Sequence, residues 1–366
     1  MGHVVRGSLV RTYRVAALST LLIWAAVGGV TAWWHGTSAA LVALVSVIVL
    51  TVLEVTFSFD NAVVNAKLLK HMSAFWQQMF MTAGILVAVF VVRFALPILI
   101  VVLTTGLHFT EVVALAVNQP DVYAAHLIEA GPMIDAFGGT FLLMIGIGYF
   151  LDAEKDVHWI GWLERRLAPL GRFDNITIFI MALAGLAITV FVPGDEKLVV
   201  LAAAVVGLVL HMGLDLFGAI FGDGEPGRIL VGAAAAVMFV RLELLDASFS
   251  FDGVIGAFAI TSSVLLIMAG LGAGAVWVRA MTVHLVRAGT LAKYRYLEHG
   301  AHWAILFLGL VMFGKLFHVE PPDWAVGSLG LMFISLAVWS SVRERRRQEV
   351  QTPVEYVDSS IHVGEL

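Results

Sequence analysis

Four acidic residues stand inside apolar stretches, in two copies of one pattern. Glu54-Val55-Thr56-Phe57-Ser58-Phe59-Asp60-Asn61 returns as Asp246-Ala247-Ser248-Phe249-Ser250-Phe251-Asp252-Gly253. Each copy reads acid, two residues, Phe-Ser-Phe, Asp. A carboxylate at the centre of a membrane span costs about 2.5–3.5 kcal/mol on insertion scales, and like charges side by side disfavour each other's ionised form. Four together call for protons or a cation. Oxygen donors without sulfur suit Mn2+, Ca2+ or Mg2+, and the chain has no cysteine to build a thiolate site. The candidate metal ligands are Glu54, Asp60, Asn61, Asp246 and Asp252, with Ser58 and Ser250 as neutral oxygens. Glu243 lies three residues before Asp246 and shares its helical face. In an ideal helix, residues six apart are offset by about 240° and roughly 9 Å. Glu54 and Asp60 therefore meet one ion only if the helix is distorted between them. Otherwise they belong to two sites along a path.

The elements that must position these acids are membrane spans. Of 366 residues, 60% are hydrophobic and 13% charged, against about 45–50% and 25% in soluble domains. Hydropathy predicts ten spans, at 15–33, 39–69, 76–105, 133–151, 175–192, 197–220, 229–262, 264–288, 300–317 and 324–341. The fold class expected is an all-α polytopic membrane protein. The second and seventh spans hold the motifs and are long for a hydrocarbon core of about 30 Å, so each is strongly tilted, extends past the core or is broken. Ser58-Phe59-Asp60-Asn61 and Ser250-Phe251-Asp252-Gly253 supply cap and turn residues for a break. The arginine-bearing run at the N-terminus reads as a first span rather than a cleaved signal.

Basic residues set the expected orientation. Arg6, Arg11 and Arg14, then Lys67 and Lys70, Lys155 to Arg172, Arg287 to Arg295, and Arg343 to Arg347 all fall on one side of a ten-span chain, and 106–132 has no Lys or Arg. Both termini are then cytoplasmic, in what reads as a bacterial inner membrane. The loop 153–174 reads as an interfacial amphipathic helix, and the tail 346–366 as polar and disordered.

The motifs lie five spans apart, so they cross the membrane in opposite senses. Arg93 and Arg279 follow in the next span of each half. Asp135 and Glu298 then open spans with matching glycine spacing. This order predicts an inverted-topology repeat of five spans plus five, with a first unit at 1–192 and a second at 193–345. The substrate site of such a fold lies where the halves meet. Arg93, Arg241 and Arg279 also offer a plainer role for the acids, as buried structural ion pairs. His211 and Asp215, four apart, form a possible second metal pair.

At these residues the sequence resembles the TerC family of membrane proteins, within the LysE transporter superfamily. The matching residues are Glu54, Ser58, Asp60, Asn61 and Ala62, then Asp246, Phe249, Ser250 and Asp252, with Arg93 in the following span. Arg279, Tyr296-Leu297 and the glycine-spaced stretch from Gly300 to Lys315 extend the likeness over roughly 40–320. Gly253 stands where the family has Ser, which removes one neutral oxygen. The resemblance implies metal-ion homeostasis, with Mn2+ as the leading ion and export as its direction. Other members are linked to tellurite resistance or to calcium and pH balance.

The expected function is a secondary divalent-cation carrier. No Gly-x4-Gly-Lys-Ser/Thr loop is present to supply nucleotide energy. Moving a divalent cation out against an inside-negative potential costs about 4.6 kcal/mol per 100 mV, so protons are the expected coupling ion. The competing classes are a non-transporting scaffold or metal sensor, alone or as a homo-oligomer or with a membrane partner, an intramembrane aspartyl protease, and a tellurium-oxyanion carrier. The protease lacks Gly-x-Gly-Asp, and acids at the centre disfavour an anion. A net charge of −5 excludes a generally basic nucleic-acid binder. No enzyme activity and no resident cofactor are expected.

Overall fold

The computed structural model describes residues 2–153, 155–173, 175–194, 196–221, 229–319 and 321–351, with side chains described except at 2–11, 221, 251, 252, 323, 324 and 349–351. The helices in chain order are α1 (Gly2–His35), α2 (Thr37–Phe57), α3 (Phe59–Leu69), α4 (Ala74–Met81), α5 (Ala83–Leu86), a π-helix (Val87–Ala95), α6 (Leu96–Thr105), α7 (Phe109–Asn118), α8 (Pro120–Glu129) and α9 (Gly131–Leu151). Then come α10 (Gly161–Leu167), a 3-10 turn (Ala168–Arg172), α11 (Ile176–Phe191), α12 (Lys197–Phe221), α13 (Gly232–Ala257), α14 (Val264–Arg287), α15 (Thr290–Lys293), α16 (Leu297–Lys315) and α17 (Asp323–Gln351). No strand occurs among the described residues. The fold is all-helical.

Among the described residues, eight helical runs are long and apolar enough to cross a membrane, and a ninth if the segment Gly161–Arg172 and α11, bent by 97°, is taken as one span. Two of the ten expected spans fall outside those eight. The span expected at 175–192 is α11. The span expected at 229–262 is α13, whose 26 residues reach about 39 Å but carry Arg241, Glu243, Asp246 and Asp252.

The two motif helices differ. The first is interrupted at Ser58 (φ −99°, ψ 20°), between α2 and α3, although Ser58 N–H still reaches Glu54 O at 3.0 Å. The break expected at Ser250–Gly253 is absent. α13 runs on to Ala257 before turning; Ser248 Oγ donates back to Leu244 O at 2.9 Å, as Thr56 Oγ1 at the matching position of the first copy donates to Val52 O at 2.7 Å. The tail expected from 346 begins as helix, since α17 continues to Gln351; 352–366 lie outside the described residues.

Packing follows small residues. α14 lies most closely on α2, and α16 on α9 and α17. Gly270 and Gly274 form a Gly-x3-Gly stripe on α14, the pattern that lets membrane helices approach backbone to backbone. A Cβ at Gly270 would lie 2.5 Å from Leu50 Cβ, and one at Gly274 would run into the Glu54 side chain. Across that contact Thr51 Oγ1 donates to Gly270 O at 3.1 Å. The first motif helix is thus pressed against the helix that carries Arg279.

Candidate functional site

The interruption at Ser58 has a direct consequence for the first motif copy. It falls between Glu54 and Asp60, and both line one cavity of about 120 Å3 together with Ser58, Phe57, Phe249 and Gly253. Both acids are buried. Asp60 sits in the first turn of α3, where a carboxylate is favoured by the helix dipole. Its Oδ1 accepts the N–H of Asn61 at 2.9 Å. Its Oδ2 faces α17, where a Cβ at Gly330 would lie 3.6 Å away.

Two buried arginines meet the other acids. Arg93 donates from Nη2 to Glu54 Oε1 and from Nη1 to Ala88 O at 2.9 Å. It lies in the π-helix, where Leu96 N–H bonds Val91 O, and Pro97 just beyond has no N–H to offer the Arg93 carbonyl. Arg279 sits on the regular helix α14. It donates to Glu243 Oε1 at 2.9 Å, Glu243 Oε2 at 2.8 Å and Asp246 Oδ2 at 3.1 Å, and to Phe80 O at 3.0 Å. Its guanidinium also lies over the Phe80 ring, 4.2 Å from the centroid. Position 84 must be glycine for this clamp, because a Cβ there would be 2.6 Å from Glu243 Oε1.

The contacts of the two copies answer one another. The leading acid of each copy, Glu54 or Asp246, holds an arginine from the next span of its own half. The residue after the second acid reaches across: Asn61 Nδ2 donates to Asp246 Oδ1 at 2.7 Å, and Gly253 lies against Glu54, its Cβ position 3.8 Å from Oε2. Asn61 Oδ1 and Asn65 Oδ1 are buried without a hydrogen-bond partner, as are Arg93 Nε and Arg279 Nε. Ser250 and Asp135 are buried on α13 and α9. Asp252 lies on α13, with its side chain outside those described. Among the described residues, no three His, Cys, Asp or Glu side chains gather as a metal-holding group. Three of the four described candidate acids are on arginine, and Asp60 has no ion pair among them.

A second, larger cavity of about 740 Å3 opens among α3, α9, α11, α12, α13 and α16. Lys67, Tyr149, Arg172, His211, Asp215 and Arg241 are on its wall, and Val64 and Leu245 bring it next to the motif residues. His211 Nδ1 lies 3.1 Å from Asp215 Oδ2, but Arg241 Nη1 is also on that carboxylate at 3.2 Å. The pair is therefore already engaged by a guanidinium.

Sequence reasoning missed several polar contacts. Asn65, one turn after Asn61, carried the signal of an amide inside a span. Lys67 pairs with Glu298, which no local spacing reveals. Tyr149 stacks on His302 at 3.7 Å. Glu164 is fully buried, accepting Trp159 and Ile160 N–H at 3.1 and 2.9 Å, with Lys155 Nζ at 2.9 Å and His299 Nε2 at 3.5 Å. This pins the amphipathic segment to α16.

Chemically, the site is a pair of carboxylates and a hydroxyl around a small cavity, flanked by guanidinium-neutralised acids. Such a set can hold a cation or a proton. It offers no activated nucleophile. No curated protein and no solved structure matches the chain. Residues 59–348 match a family model described as a protein of unknown function, DUF475, which takes in Asp60 and the whole second motif copy. The chain belongs to the DUF475 family.

Proposed function

We propose that the protein is a secondary carrier of a divalent metal cation. The observation that carries this reading is the cavity walled by Glu54, Ser58 and Asp60, where one buried carboxylate has no arginine among the described residues. A dehydrating cation needs such oxygens, and two more, the amide oxygens of Asn61 and Asn65, are buried on the same helix without a hydrogen-bond partner. The reciprocal contacts of the two motif copies favour an inverted repeat of five spans plus five, with the substrate at its pseudo-two-fold centre. In this reading the larger cavity, with Lys67, Arg172 and Arg241 on its wall, opens to the cytoplasm in keeping with the positive-inside rule, as do the termini, in a bacterial inner membrane. The likeness to TerC proteins makes Mn2+ the leading cargo and export its direction. The energetic cost of export makes protons the coupling ion.

The test is uptake of Mn2+, Ca2+, Mg2+ and Zn2+ into inside-out vesicles holding the purified chain, with and without a pH gradient. Saturable flux of one cation, driven by the gradient and lost in Asp60→Asn and Asp252→Asn, is the expected result. Flux of none of the four sinks the carrier.

The arginine pairing supports a second reading. A core in which Arg93 and Arg279 already neutralise Glu54, Glu243 and Asp246 suits a membrane scaffold or metal sensor that moves nothing. Metal binding without flux in the same vesicles is its signature.

A further inference from the structure

The two buried arginines are held very differently. Arg279 is locked by three carboxylate contacts, a backbone carbonyl and an aromatic face. Arg93 has one carboxylate oxygen and one carbonyl. Arg279 rides a regular helix, and Arg93 a π-helix of nine residues, a local geometry that recurs at functional positions. Only the carboxylate on Arg93 also lines the small cavity: Glu54 is on its wall, and Glu243 and Asp246 are not. Beside Glu54 Oε2, Gly253 leaves the space open. The Arg279 cluster sets two carboxylates, Glu243 and Asp246, against one guanidinium, and so carries a surplus negative charge.

We propose that Arg93 is a resident counter-ion, which occupies Glu54 while the cavity is empty and yields it to an arriving divalent cation. When the cation departs, Arg93 returns. The empty protein can then change its facing with Glu54 neutralised and Asp60 alone left to take a proton, rather than with two bare buried carboxylates, the costly species in a low dielectric. Arg279 is the permanent partner of its half and stays in place throughout. This role rests on the carrier reading above.

Reconstituted full-length chain with Mn2+ as the probe separates the two. Net Mn2+ uptake requires the empty protein to turn over, whereas exchange of external for internal Mn2+ does not. In Arg93→Gln, net uptake falls at least about tenfold while exchange stays within about twofold of wild type, and Mn2+ binds more tightly. The tightening is about tenfold if the pair is closed about nine-tenths of the time, since apparent affinity scales with the competent fraction. Arg93→Lys keeps a cation on the same helix and restores net uptake, which keeps the test open if the glutamine variant does not fold. Parallel loss of exchange and net uptake in Arg93→Gln, weaker Mn2+ binding, or a lysine variant without net uptake overturns the counter-ion role. Wild-type protein that neither binds nor exchanges any of Mn2+, Ca2+, Mg2+ and Zn2+ overturns the carrier reading, and this role with it.

Discussion

Asn61 donates from Nδ2 to Oδ1 of Asp246 at 2.7 Å, tying the first copy of the repeated motif to the second. Both groups are buried. A hydrogen bond to a buried charged group contributes about 1.5–3 kcal/mol. Asn61→Leu removes the donor and leaves Asp246 with Arg279 alone, so it should destabilise the protein by about that amount. Thermal unfolding in detergent reads the difference, and an unchanged midpoint would show that the link is idle.

Arg279→Gln and Asp60→Asn should behave as opposites. The first strands Glu243 and Asp246 inside the membrane region, and breaking a buried pair on one side costs about 3–5 kcal/mol. The second removes a carboxylate that has no arginine among the described residues, and should leave stability within about 1 kcal/mol while abolishing cation binding. Unfolding midpoints and Mn2+ binding on the same preparations decide the matter. A destabilised Asp60→Asn that still binds cation would reverse the assignment.

Two glycines beside Glu54 differ in how much room they leave. A Cβ at Gly274 collides with the Glu54 side chain, whereas one at Gly253 makes ordinary contact at 3.8 Å from Oε2. Gly274→Val should therefore cost about 1–3 kcal/mol through overpacking. Gly253→Ser should fold normally and add a hydroxyl next to the cavity. If the serine variant proves the less stable of the two in a side-by-side melt, the packing described here is wrong.

Glu164 gives a pH dependence outside the spans. Burial opposes its ionisation, but the hydrogen bond from Lys155, the N–H of Ile160 and the nearby His299 outweigh it and hold the carboxyl below the usual range. A carboxyl depressed in the folded state stabilises fully above its unfolded value, about 4.3, and that stability fades as pH falls through the lower folded value. The segment around α10 should thus remain docked from neutral pH down to about pH 4 and come away below it. Hydrogen exchange at the Ile160 amide follows this. Loss of protection already near pH 6 would contradict it, and Glu164→Gln should release the segment at neutral pH.

The sequence exposed the acids, the arginines and their order, because charge is conspicuous in apolar surroundings. It also exposed the interruption at Ser58, where Ser and Asp compete for the backbone. The same residue types did not break α13: Thr56 in the first copy and Ser248 in the second both bond back into their own helices, so nothing local distinguishes the copy that breaks. Nor could spacing tell that Glu243 and Asp246 would share one guanidinium while Asp60 received none, since those partners come from other helices. The Lys67–Glu298 pair was hidden for the same reason. Lys67 read as an edge charge and Glu298 as the acid opening a span of the repeat, and nothing in their spacing joined them.

The wide turn around Arg93 also sets the phase of everything that follows it. Residues in an α-helix advance by about 100° each, and a π-helix carries an extra residue in its turn. Losing a residue between Val87 and Val92 would therefore let those turns close to α spacing and leave Arg93 near its present phase. α14 has no spare residue to give up before Arg279. The two halves make matching contacts, but only one of them has a backbone that can gain or lose a residue and remain a helix.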